Sequence, residues 1–259
     1  MPDHAAAILE VAGLTKRFGG LTAVRDFGAK LQRGRITSLI GPNGAGKSTL
    51  FQLLCGSLRP DSGVVRFQGA DITGLPPDRI ARLGIGRTFQ DVRTLRQLTA
   101  LTNVMVAARD NPHEDILSAL VRRKSILRNE RRLQERAMEA LRFVGLEDKA
   151  ALAAGTLSYG EQKLVALAQL LMGEAELLML DEPAAGVRET LVKEIGVLLR
   201  RLSTQGRTIL LIEHNLALVK SVSDHVIVLD AGSTVAEGTP AEVLADARVL
   251  QAYLGRSAA

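Results

Sequence analysis

The sequence predicts an α/β fold, a mostly parallel sheet covered by helices, and three observations carry that reading. Short, unbroken apolar runs recur at Ile36–Ile40, Val64–Phe67, Leu177–Leu180, Thr208–Ile212 and Val226–Leu229. Continuous rather than alternating apolarity marks strands buried on both faces. Helical spacings of apolar residues fill the intervals, at Lys47–Cys55, Gly160–Met172 and Thr190–Leu202, which is the alternation of an α/β core. A glycine-rich segment, Gly41-Pro42-Asn43-Gly44-Ala45-Gly46-Lys47-Ser48, joins the first run to the first helix.

Along the chain, glycine-punctuated short strands around Ile8–Ala12 and Ala29–Gln32 predict a small mixed or antiparallel sheet beside the parallel one. Residues 91–157 show no convincing strand and read as a helical insert between the two parts of the core, 1–90 and 158–259. Within the insert, Leu120, Lys124, Leu127, Leu133, Ala137, Leu141 and Val144 recur mostly at helical spacings. They predict an amphipathic helix with one apolar stripe. As a whole, Leu120–Arg142 carries eight cations against Glu130, Glu135 and Glu139, an excess equal to the net charge of the whole chain, +5. Thr239-Pro240-Ala241-Glu242 is a capping box with proline at the first helical position, opening a final helix.

Composition narrows the classes. With 259 residues, 46% hydrophobic and 24% charged, the chain is neither disordered nor fibrous. A net charge of +5 does not by itself announce a nucleic-acid binder, and six Phe, two Tyr and no Trp make stacking platforms for single strands a poor expectation. The single cysteine, Cys55, excludes an internal disulfide. No apolar run has the length of a membrane helix, and Met1-Pro2-Asp3-His4 opens no secretory signal. The expectation is a cytoplasmic chain that meets a membrane only through a partner.

Gly41–Ser48 fits G-x-x-x-x-G-K-[ST] in the strand-to-helix context that the mechanism requires. Glycines let backbone N–H groups wrap phosphates, and the helix N-terminus adds a positive dipole end. Lys47 supplies a charge to the β- and γ-phosphates of a nucleotide, and Ser48 a hydroxyl for Mg²⁺. Leu177–Leu180 ends in two adjacent carboxylates, Asp181 and Glu182. Acids at the rim of a buried strand are costly without a cation or polar partner; Asp181 suits Mg²⁺ and Glu182 suits polarising a water. Ser158, in Leu157-Ser158-Tyr159-Gly160-Glu161-Gln162, opens the helix before that strand and would by itself be an ordinary N-cap.

Together with Gln90 and His214 at the end of Thr208–Ile212, these residues resemble the ATP-binding cassette of ABC transporters, in the family's motif order from Ile8 to Gly255. The resemblance implies a RecA-like P-loop NTPase core of mostly parallel sheet, with a small N-terminal antiparallel part and an inserted helical subdomain. It implies that Phe18 stacks on adenine and that Gly41, Pro42, Asn43, Gly44, Ala45, Gly46, Lys47, Ser48 and Thr49 hold ATP. Gln90 stands where the family touches Mg²⁺ and water, His214 at the switch histidine, and Ser158, Gly160 and Glu161 at the signature that completes the opposite subunit's site. Two cassettes then sandwich two ATP molecules. Phe18-Gly19-Gly20-Leu21, Gly84–Gln90, the signature, Asp181–Gly186 and Ala252–Gly255 are similar to the ATPases of branched-chain amino-acid importers. Such ATPases lie at the cytoplasmic face of the inner membrane, beneath two permease subunits fed by a binding protein.

One departure stands out: Val187-Arg188 replaces the usual Leu-Asp or Leu-Asn after Pro183-Ala184-Ala185-Gly186, which brings a heterodimer with a second ATPase into view beside a homodimer. Other readings are an ATPase of another ABC system, for urea, amides or lipids, and a soluble ABC ATPase linked to nucleic acid. The insert has room only for short helices, not the long coiled coils of the chromosome ATPases, and a single phosphate loop argues against a two-cassette translation factor. A P-loop kinase should lack the signature and His214. The segment Phe89–Leu98, with Val92 and Leu95 among its apolar residues, is the expected seat of a permease's cytoplasmic helix.

Overall fold

The computed structural model describes residues 7–88, 94–108 and 123–254. They fall into two compact units. One takes the residues up to Arg87, Glu176–Ala185 and those from Val192 onward; the other runs from Thr88 to Ala175 and takes in Gly186–Leu191.

The first unit holds two sheets. β1 (Ala7–Phe18) and β2 (Leu21–Gln32) form a hairpin, extended through β4 (Ser62–Phe67) to the short β5 (Ala70–Asp71) in the order β2-β1-β4-β5, antiparallel throughout. The second sheet is six-stranded, in the order β10-β9-β3-β8-β7-β6. β3 (Ile36–Ile40) lies between β8 (Thr208–Ile212) and β9 (His225–Asp230), parallel to both. β7 (Leu177–Asp181) pairs in parallel with β8 and with β6 (Ile85–Arg87), and β10 (Ser233–Gly238) closes the far edge antiparallel to β9. β3 and β8 are buried at every residue, as strands covered on both faces must be.

Val64–Phe67 corrects the sequence expectation. It pairs with β1 in the antiparallel sheet, because Arg66 faces outward between buried Val65 and Phe67. A four-residue apolar run interrupted on one face is a one-sided strand, and so short a run does not distinguish the two. α1 (Lys47–Leu54) buries Leu50, Phe51 and Leu54 in one core with Leu9, Leu14 and Phe27 of the hairpin and with Leu39, Met179 and Leu210 of the parallel sheet. α2 (Pro77–Leu83) precedes β6 and α6 (Glu189–Thr204) precedes β8; a second cluster, Ile40, Val219, Val226, Val228 and Val243, joins α7 (Leu216–Val222) and α8 (Pro240–Ala245) to the parallel sheet.

The second unit is built on α3 (Ala100–Val106), α4 (Arg123–Phe143) and α5 (Tyr159–Met172), which pack on one another. α4 buries Leu133, Ala137, Ala140 and Leu141 and exposes Arg128, Arg131, Arg132, Glu135, Glu139 and Arg142; Leu133, Ala137 and Leu141 are positions of the expected stripe, whose first residue, Leu120, lies outside the described residues. The unit extends past Leu157, where the sequence reading ends the insert, because α5 turns Leu164, Val165 and Ala168 into the helical core. Asn103, fully buried, clamps the loop before α3: its amide donates to the carbonyls of Leu95, Leu98 and Thr99, and its Oδ1 accepts from Leu95 N–H at 2.7 Å. Among the described residues no helix is long and apolar enough to cross a membrane.

Candidate functional site

The loop between β3 and α1 is shaped by close approach. Gly41 has φ 149° and Gly46 φ 100°; a Cβ on the first would stand 2.1 Å from the Leu229 carbonyl oxygen, and on the second 2.2 Å from that of Ala23. Only glycine satisfies both space and backbone there. Gly46 is the N-cap of α1 and offers no side chain to it, which leaves first-turn N–H groups available to an anion. The loop is stitched from behind, Gly232 N–H donating to Ala45 O at 3.0 Å and Arg25 N–H to Gly232 O at 2.7 Å. Asn43, Gly44 and Ser48 stay exposed at its rim, and Thr49 is half-buried. Lys47 is buried, and its Nζ donates to the carbonyls of Gly41 at 2.7 Å and Pro42 at 3.0 Å. Burial pushes the Lys47 ammonium below the usual lysine range, while Glu182 and then Asp181 pull it back up.

Those two acids end β7. Asp181 pairs in register with Ile212 of β8. Burial, followed by the charge of Glu182, raises the Asp181 carboxyl above the usual range, with Arg87 and Lys47 opposing. Glu182 leaves the strand in a left-handed backbone, φ 49°, its N–H donating to Ile212 O at 2.9 Å. An L-residue holds that conformation at a cost, and it persists where surrounding bonds over-determine it. The result is a carboxylate–imidazole pair: Glu182 Oε1 lies 2.9 Å from His214 Nε2. Such a pair, coupled by charge to a buried lysine under a phosphate loop, can hold a water by its protons and bear the charge of a reacting phosphate.

The sequence profile described as "ABC transporter" matches residues 24–185, and one described as "Branched-chain amino acid ATP-binding cassette transporter" matches 233–259. The chain belongs to the ABC transporter family. It is an ATP-binding cassette, and ATP hydrolysis is general for such cassettes. It is 42% identical over 251 residues to the high-affinity branched-chain amino acid transport ATP-binding protein BraF of Pseudomonas aeruginosa, covering 96% of this chain and 98% of that one. The corresponding protein LivG of Escherichia coli is 39% identical with the same coverage. Among solved structures, the ADP conformation of an ATP-binding cassette of an ABC transporter matches with a TM-score of 0.84 and 35% identity, over 96% of this chain and 99% of that one.

In this cassette Phe18 closes the β1–β2 hairpin opposite Leu21, 47% exposed, with Lys16 Nζ 5.6 Å from its ring centroid. An open aromatic face is what stacking on a purine needs. Ser158 is the N-cap of α5 and forms a capping box with Glu161. Glu161 accepts from the Ser158 N–H and hydroxyl, each at 2.8 Å, and from Lys149. Chiefly through that Lys149 contact, its carboxyl is held down at about 2. Glu161 is thus occupied in orienting Ser158. Gly160 has its own packing reason: a Cβ there would stand 2.3 Å from Leu191 Cδ2 and 3.8 Å from Val187 Cγ1. Of the two unusual residues, Val187 is half-buried and Arg188 exposed.

The site residues therefore divide. Phe18, Gly41–Thr49, Asp181, Glu182 and His214 belong to the first unit, and Ser158, Gly160 and Glu161 to the second. Gln90, Phe89 and Val92 lie outside the described residues. Among the described residues no group of three or more His, Cys, Asp or Glu side chains is placed to cage a metal. The Ser48 hydroxyl and the charge-stressed Asp181 carboxyl are hard oxygen donors of the kind Mg²⁺ takes when phosphates supply the rest of its shell. Two residues escaped the sequence reading. Arg87 donates to Ser57 Oγ at 2.7 Å and its charge opposes the rise at Asp181. Glu213, 3% exposed, accepts backbone N–H groups beside Glu182 and His214; its tie to the Glu182 loop runs to Ala184, 29 residues away, so no local signal marks it.

Proposed function

We propose that this chain is the ATP-hydrolysing subunit of an importer of branched-chain amino acids. The observation that carries the substrate class is the match to relatives of that name over 96% of the chain, with the further match at 233–259. In this reading Gly41–Thr49 wrap the phosphates, Lys47 swings its ammonium from its own loop carbonyls to the β- and γ-phosphates, and Phe18 stacks on adenine. Ser48, Asp181 and Gln90 would hold Mg²⁺, which would supply charge neutralisation to the bound phosphates. Glu182 accepts a proton from the attacking water, and His214 fixes that carboxylate and contacts the γ-phosphate. The glutamate suits this role because a neighbouring imidazole nitrogen already orients its oxygen.

Ser158, Gly160 and Glu161 complete the site of a second cassette, so the working unit is a pair around two ATP molecules. The pair sits at the cytoplasmic face of the inner membrane, beneath two permease subunits that receive their cargo from a binding protein. The test is uptake by vesicles carrying the reconstituted complex with ATP inside. Leucine, isoleucine or valine should accumulate with wild-type chain and not with Glu182→Gln. Uptake confined to a different cargo, such as urea, would overturn the substrate class.

A further inference from the structure

We propose that Glu213 is a positioning residue for hydrolysis, a buried clasp that sets the Glu182–His214 pair. The proposal rests on the reading of that pair as the hydrolytic machinery. Glu213 follows β8 directly, is 3% exposed, and spends its carboxylate on backbone donors from two separate segments. Its Oε1 accepts from Ala184 N–H at 2.9 Å, in the loop two residues past Glu182. Its Oε2 accepts from His214 N–H at 3.1 Å and Asn215 N–H at 3.3 Å, in the turn that carries the histidine and caps α7. One oxygen thus goes to each loop.

A buried carboxyl group is tolerated only when several partners satisfy it, and here three backbone amides do so, each from a segment that bears one of the pair's side chains. The sheet alone does not hold those segments together. β7 and β8 pair as far as Asp181 and Ile212, and the last backbone link beyond the register is Glu182 N–H to Ile212 O. From there the chains turn apart, one into the left-handed Glu182 and the other into the His214 turn. Glu213 is the next tie, and the 2.9 Å between Glu182 Oε1 and His214 Nε2 is the distance it guards.

The chemistry dictates the side chain. Glutamine keeps the length but offers one acceptor oxygen and turns its NH₂ against amide N–H groups on the other loop; aspartate keeps both oxygens but is one methylene too short to span the loops. Neither residue of the phosphate loop that binds charge is touched, so nucleotide affinity should be spared while turnover is not.

The experiment measures kcat, KM for ATP, nucleotide affinity and thermal melting for the wild-type chain, Glu213→Gln, His214→Ala and the double variant. Glu213→Gln should lower kcat about 10- to 100-fold with KM and affinity within about threefold, as expected when reacting groups shift by a fraction of an ångström. The losses in the double variant should not multiply, because both substitutions disable one pair. A kcat within about threefold of wild type, or losses that multiply fully, would overturn the clasp. If Glu213→Gln fails to fold, Glu213→Asp replaces it; a chain that unfolds with either makes Glu213 merely structural and sinks the proposal. Glu182→Gln, measured alongside, keeps the outcomes apart: wild-type turnover there refutes the reading of the pair itself.

Discussion

Lys47 shows how a single side chain is prepared for a ligand. Its ammonium is buried, its pKa is lowered by that burial, and it rests on two carbonyls of its own loop. Lys47→Ala is expected to abolish ATP binding, read by equilibrium titration with a labelled analogue; unchanged affinity would remove the loop from the site. Glu161 gives a prediction in pH. Its carboxyl is held at about 2 in the fold against an ordinary 4.5, so its stabilisation is complete above pH 4.5 and drains away as pH falls toward 2. The melting temperature of Glu161→Gln should therefore lie below wild type at neutral pH, and the gap should close on acidification. A gap constant with pH would mean the carboxylate charge is not what orients Ser158. At this scale the phosphate loop and the acidic pair were legible because their chemistry lies in contiguous residues. Glu213 was not, because its meaning depends on Ala184, 29 residues away.

Elements were legible where burial left an unbroken apolar run, as in β3, β7 and β8. β10 went unread because it is an edge strand of alternating exposure with Ser233, Thr234 and Glu237 in it, and β6 because it has only three residues. The membership of α5 in the helical unit was hidden too, since an amphipathic pattern states that a face is buried but not against what. The loop before α3 is where this bears on the expected permease seat. Leu95 is 52% exposed there, held by the Asn103 clamp. Leu95→Glu should leave folding and ATP binding intact and reduce vesicle uptake of a branched-chain amino acid; normal uptake would take this surface out of the coupling path. Asn103→Leu should instead cost stability, about 1 kcal/mol or more in chemical denaturation, since it strips the Leu95 N–H of its acceptor and the carbonyls of Leu95, Leu98 and Thr99 of their second donor.

For the whole molecule the central expectation is that each active site takes parts from two chains. Ser158→Arg should block hydrolysis although Ser158 and the phosphate loop belong to different compact units. Mixing that variant with excess Lys47→Ala should restore part of the turnover, through the one composite site that keeps an intact loop and an intact signature. Failure to complement, with mixed dimers demonstrated, would argue for a self-contained site. Within a chain, the hydrogen bonds from Arg25 to Gly232 and from Gly232 to Ala45 give the phosphate loop a second fixed neighbour, the hairpin strand that begins three residues after Phe18. If, as proposed, Phe18 meets the base, then base and phosphate contacts share one hydrogen-bonded frame, and the molecule would measure its ligand like a caliper with a set gap. A shortened nucleotide or a detached base would gain nothing from the other jaw. Slowed amide-proton exchange on binding should accordingly spread beyond the loop, reaching Arg25 and Gly232 together.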